Sequence, residues 1–134
     1  MRTGRIQIIL GIMALVILSV ACGFSASTAN IKEAYMARDE QGADKTTVFT
    51  QNEVFWCIVQ VANAPDDTKV KATWYAVNAE GVDPNFLIDE VETTTAGGTI
   101  PFNLVNDGLW PLGTYKVEIY LNDELNQTLN FEVQ

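Results

Sequence analysis

The feature that most constrains this chain is a period-two alternation of apolar and polar residues, repeated in short runs with turn residues between them. Over residues 69–77, Val70, Ala72, Trp74 and Ala76 fall on one face and Lys69, Lys71, Thr73 and Tyr75 on the other. That is the pattern of a half-buried β-strand. Ile100, Phe102 and Leu104 repeat it, as do Tyr115, Val117, Ile119 and Leu121, and finally Leu129, Phe131 and Val133. Residues 54–61 are apolar on both faces, which makes that strand central or covered. Pro101 points outward from its run, where a missing N–H suits an edge or a strand end. Asn122, Asp123 and Glu124 form the turn into the last strand. Residues 31–38 and 86–93 alternate more loosely, but they lack helix-capping signals and are read as strands; residues 46–50 add a short β-prone piece. About seven or eight short strands result, with no helix long enough to cover a sheet. Two sheets must therefore cover each other, in an all-β antiparallel sandwich over residues 31–134.

The first residues carry a different signal. Arg2 and Arg5 precede a stretch, residues 8–20, that is apolar apart from Gly11 and Ser19. A basic start followed by an apolar segment shorter than the roughly 20 residues of a membrane span reads as an export signal. Ser19, Val20 and Ala21 lead directly into Cys22, and this resembles the lipobox of bacterial lipoproteins, in which the cysteine is lipidated and becomes the new N-terminus. Ala21 fits that pattern; Ser19 departs from it, because leucine is usual there and Leu18 stands one place too early. The same triplet also suits the ordinary signal peptidase, which would give a plainly secreted chain. Residues 23–30 are small, polar and uncharged, the composition of a flexible tether. The expected organisation is thus a removed signal peptide, 1–21, a lipidated Cys22 with tether, 22–30, and one domain, 31–134. The expected location is the extracytoplasmic face of a membrane, held there through lipid on Cys22.

Three residues narrow the sandwich class. Cys57 stands inward on the second main strand, Trp74 inward on the third, and Tyr115 opens the sixth just after Leu112 and Gly113. This arrangement resembles the cysteine, tryptophan and tyrosine-corner positions of the immunoglobulin and fibronectin type III folds. Val117, two residues after Tyr115, takes the place of the second cysteine. The resemblance therefore implies no disulfide, and a core in which Trp74 packs against Cys57 and Val117. It implies nothing specific about function, since many unrelated activities share the fold.

Composition removes most chemistry. The full chain carries a net charge of −9, and loss of the signal peptide, with its two arginines, makes the domain more acidic. Nucleic acid is excluded as a partner, because its binding relies on Lys and Arg neutralising phosphates. There is no histidine, and beyond the signal peptide the only serines, Ser25 and Ser27, lie in the tether. The usual nucleophile and base pairs cannot be assembled from this set. With Cys22 lipidated, Cys57 is the one remaining thiol, placed in an apolar run as a buried small hydrophobe. Asp66, Asp67, Asp83, Asp89, Glu90 and Asp107 lie at or near predicted loops, yet no spacing matches a calcium loop, and Asp favours turns in its own right. No cofactor or metal site is expected.

The aromatics remain. Alternation turns Tyr75 and Tyr120 outward on neighbouring strands, turns Trp56 outward on the other sheet, and leaves Trp110 in a loop before Pro111, where it is read first as a plug for the end of the sandwich. Outward aromatics stack on sugar rings and anchor protein interfaces, although cross-strand tyrosines also stabilise sheets in the ordinary way. Tyr75, Tyr120, Trp56 and Trp110 are the candidate contacts for a protein or polysaccharide partner. Three functional classes follow: a non-catalytic interaction or scaffolding module, a carbohydrate-binding module, and a carboxylate-based hydrolase.

Overall fold

A computed structural model describes residues 28–134. Within them the chain forms strands β1 (Asn30–Ala37), β2 (Val48–Phe49), β3 (Phe55–Ala62), β4 (Thr68–Ala79), β5 (Phe86–Thr95), β6 (Gly98–Leu104), β7 (Gly113–Leu121) and β8 (Glu124–Val133), with no helix among the described residues. Two sheets face each other: β1-β3-β6 in one, β2-β8-β7-β4-β5 in the other. All pairings are antiparallel except that of β2 with β8, where Val48 and Phe49 run parallel to Glu132 and Val133. This is the all-β sandwich that the alternation requires. Both loosely periodic segments are strands, β1 and β5. Export signal and Cys22 lie outside the described residues.

The core is filled by the inward side of each alternating run. Val70, Ala72, Trp74 and Ala76 of β4 meet Phe55, Cys57, Val59 and Val61 of β3, and Tyr115, Val117 and Ile119 of β7 complete the layer, all buried. Trp74 and Val117 are cross-strand partners, and Trp74 meets the Phe131 ring edge-on with centroids 6.1 Å apart. Tyr115 builds a tyrosine corner: its hydroxyl donates to the Pro111 carbonyl at 2.6 Å, four residues upstream, and its ring stacks on Phe131 at 5.6 Å.

β3 is apolar on both sides because it is central in its sheet and covered from outside at Ile58, which is only 1% exposed. The cover is the loop after β1. Gly42 lies so close that a Cβ there would run into Ile58 and the Tyr35 hydroxyl, and its φ of 72° favours glycine as well. Asp39 ties this loop by accepting from the amides of Ala43 and Asp44 at 3.0 and 2.8 Å; these bonds hold its carboxyl below the ordinary carboxylate value. Arg38 then bridges Asp44 at 3.3 Å and Glu53 at 2.9 Å.

Turn residues carry the positive backbone angles. Asn122 and Asp123 take φ of 48° and 69° in the two-residue hairpin between β7 and β8, the conformation such hairpins select Asn and Asp for. Asn122 accepts from the Lys69 amide at 3.0 Å, and Asp123 pairs with the Lys69 ammonium at 2.6 Å.

Candidate functional site

The outer face of the five-stranded sheet gathers the most chemistry. Its centre is the β4/β7 pair, where cross-strand partners share a face: Lys71 with Tyr120, Thr73 with Glu118, and Tyr75 with Lys116. Tyr75 and Tyr120 are thus on one face as alternation requires, separated by the Thr73 and Glu118 rung, and both are half-buried. The arrangement is a lattice of opposite charges around two phenols. The Lys71 ammonium lies 4.5 Å from the Tyr120 ring centroid and the Lys116 ammonium 5.0 Å from that of Tyr75. Glu118 accepts from the Tyr120 hydroxyl at 3.3 Å and pairs with Lys116 at 3.6 Å. Thr73 donates to Glu90 on β5 at 3.5 Å, the long limit of such a bond.

Burial and then the Glu118 and Glu90 carboxylates raise the pKa of Tyr75; burial, Glu118, Tyr75 and Glu90 raise that of Tyr120. The phenols therefore stay protonated and act as donors. Because each ring carries a lysine over one face, a sugar must displace an ammonium or use the opposite face to stack.

The four candidate aromatics do not converge. Trp56 is half-buried and outward on β3, on the other sheet. Trp110 is not a surface contact at all: it is 5% exposed, its indole N–H donates to the Glu53 carbonyl at 3.0 Å, and its ring stacks on Phe55 at 4.4 Å. The loop folds inward and closes the end of the sandwich, the plug that the place of Trp110 before Pro111 suggests, and its alternative role as a partner contact does not hold. Of the four core candidates, Cys57, Trp74 and Val117 are wholly buried and Tyr115 nearly so.

Burial pushes the Cys57 thiol up to about 12, so thiolate is not formed at neutral pH. Glu53 is held below its ordinary value: desolvation works against this but is outweighed by hydrogen bonds from Thr50 and the charge of Arg38. Asp123 is lowered chiefly by its bond from Lys69. Among the described residues no three His, Cys, Asp or Glu side chains cluster so as to hold a metal ion. Asp67 instead takes φ of 66° in the β3–β4 turn, a conformation Asp tolerates unusually well.

Sequence reasoning missed the ammonium caps on the tyrosines, since they depend on pairing register, and it missed the outward ring of Tyr35, which carries Lys45 4.1 Å from its centroid.

The tyrosine corner, the inward tryptophan and the sheet order together define an immunoglobulin-like β-sandwich. In shape, the chain is similar to an immunoglobulin-like protein from Pseudomonas aeruginosa, with a TM-score of 0.54 and 14% identity over 82% of this chain and 99% of that one. It is also similar to a part of a β-glucosidase from Listeria innocua, at a TM-score of 0.48 and 16% identity, covering 83% of this chain but 17% of the enzyme. A β-D-glucoside glucohydrolase from Trichoderma reesei gives a TM-score of 0.48 and 16% identity, over 81% of this chain and 19% of that one. No protein-family model matches the chain, and no curated protein matches it in sequence.

Proposed function

We propose that this chain is a non-catalytic interaction module, exported and held at the extracytoplasmic face of a membrane by lipid on Cys22. The observation that carries the reading is the state of four groups: the thiol is buried with its pKa pushed up to about 12, and Asp39 is held as a carboxylate by backbone amides, Glu53 by Thr50 and then Arg38, and Asp123 by Lys69. A general acid needs the opposite shift. The first described residues set where a tether would join, and residues 28–30 are themselves held to the domain. Thr28 donates to the Asn63 carbonyl at 2.8 Å and Asn63 to Asn30 at 3.1 Å, so the chain enters at the pole that carries the β3–β4 and β7–β8 turns. The opposite pole, with the loops after β4 and β6, faces away from the point of attachment.

Two experiments test this. Labelling with a radioactive fatty acid should mark the wild-type chain and not Cys22→Ala; an unlabelled wild type would mean ordinary secretion. A screen of the full chain against hydrolase substrates should give no turnover. Turnover abolished by a single Asp or Glu substitution would establish the hydrolase class instead.

A carbohydrate-binding module is the second reading, favoured by two outward phenols on one face among Thr73, Glu90 and Glu118. Binding to a glycan array should then fall by about 1 kcal/mol or more per ring in Tyr75→Ala and Tyr120→Ala, with little change on neutralising Asp66 and Asp67. Glycan binding indifferent to both tyrosines would end this version.

A further inference from the structure

We propose that the free edge of β5 takes up an extended, cationic segment of a partner protein as an added strand. This rests on the interaction-module reading and names the surface and the chemistry it would use. β5 is the last strand of the larger sheet and pairs with β4 alone. An unpaired edge exposes a row of backbone donors and acceptors that a second chain can complete. A bulge at Ile88 interrupts the register between Leu87 and Asp89, after which pairing with β4 runs regularly to Thr95. That leaves residues 89–95 in regular register, with the Glu90 amide already donating to Asp89 Oδ1 at 2.8 Å and the rest of the outer edge free of a strand partner among the described residues.

Five strands face three, so β5 overhangs the smaller sheet. Phe86 and Val91 are the register partners of inward Ala76 and Ala72 and belong to the core side, yet they are 50% and 38% exposed. Beside Phe86, at the start of β5, lies a cavity of about 140 Å³ lined by Ala76, Val82, Phe86, Ile88, Trp110 and Tyr115, among others. An apolar cavity of this order accepts a ring or a branched aliphatic group. A strand added along β5 would direct alternate side chains toward this overhang.

Charge selects the occupant. Asp89, Glu90 and Glu92 lie on β5, which has no Lys or Arg. Of the nearby cations, Lys69 is paired with Asp123 at 2.6 Å, with Glu92 a weaker neighbour. Lys71, the register partner of Glu92, lies over the Tyr120 ring, so Glu92 is only partly compensated. Two copies of β5 side by side would set carboxylates against carboxylates, which is destabilising across strands. A second copy of this chain is therefore disfavoured. A segment alternating Lys or Arg with apolar residues satisfies both the acidic edge and the overhang.

The test uses the full chain in detergent and three fluorescent decapeptides: alternating Val and Lys, alternating Val and Glu, and the Val/Lys peptide N-methylated at every second residue. The Val/Lys peptide should bind about 10-fold more tightly than the Val/Glu peptide, as two or three cross-strand charge pairs allow. N-methylation should abolish the binding, and amide exchange should slow at residues 89–95. Exchanging both acids, Glu90→Lys with Glu92→Lys, should reverse the preference; these are exposed positions that leave the core intact. Binding that survives N-methylation, protection elsewhere than β5, or no binding of the Val/Lys peptide would each overturn strand addition. None of these outcomes bears on the module reading, which the turnover screen decides.

Discussion

Tyr115→Phe isolates the hydrogen bond of the tyrosine corner. The substitution keeps the ring, its stack on Phe131 at 5.6 Å and its tilted contact with Phe55 at 5.6 Å. It removes only the hydroxyl, whose bond to the Pro111 carbonyl is short, at 2.6 Å. The net worth of one such bond is about 0.5–1.5 kcal/mol, and a carbonyl left unpaired in a desolvated place costs about 1–3. Pro111 is only half-buried, so water can recover part of that second cost, and the expected loss is about 1.5 kcal/mol. In a domain of this size that lowers Tm by about 6 °C. Urea unfolding followed by the fluorescence of buried Trp74 and Trp110 reads it directly, with the m-value unchanged. Tyr120→Phe is the control, since its hydroxyl meets Glu118 at 3.3 Å on a wet face and should cost under about 0.5 kcal/mol. A Tyr115→Phe loss no larger than that of the control would refute the claim that the corner bond braces the β6–β7 loop.

Three further outcomes are expected. Gly113→Ala should cost about 2–3 kcal/mol, because its φ is 148° and the added Cβ collides with the Asn78 carbonyl oxygen and the Ala79 Cα, whereas Gly81→Ala, with φ of 73° but open space, should cost only about 1; equal losses in thermal melts would mean the collision is relieved. Trp74→Ala should cost about 3–5 kcal/mol by urea titration, as truncation of a fully buried aromatic does. Because burial raises Cys57 from 9.0 to about 12, the unfolded chain loses its thiol proton first, so this contribution is intact below about pH 9 and is lost as pH rises toward 12; Cys57→Ala should flatten the fall in stability over that window, and an unchanged slope would show that the thiol is not its source.

The legible part of this protein is what alternation and turn chemistry fix locally. Trp74, Tyr115 and Val117 are identified as core because period two has one inward solution once Val70, Ala72 and Ile119 are included. Asn122 and Asp123 mark their hairpin because few residues accept positive φ at both places. Trp110 stays open between plug and contact in the sequence for a physical reason: a loop aromatic carries no periodicity, and the stack on Phe55 and the bond to the Glu53 carbonyl are what draw it inward. The lysines over Tyr75 and Tyr120 were equally invisible, since they arise from the pairing of β4 with β7. So was the overhang of β5, because strand count per sheet is a property of topology and not of any one run.

That overhang links fold to proposed role. A two-layer sandwich buries an edge strand fully only when the facing layer reaches it, and here the smaller sheet ends at β6. The chain could have blunted the exposed edge with a shorter strand, a proline or lysines, the usual protective devices. It carries instead a ten-residue strand with a single bulge near its start and acids at Asp89, Glu90 and Glu92. Acids repel a like edge and leave an unlike one free to pair, so the arrangement guards against self-association while keeping the site open. Under the proposed tether at one pole, this matters physically. Attachment to a membrane concentrates copies side by side, where an uncharged open edge would pair with its neighbour first. Replacing Glu90 and Glu92 together by Thr should therefore leave the isolated fold intact and raise association of the chain at high concentration, read by sedimentation velocity; an unchanged monomer would show that these acids do not guard the edge.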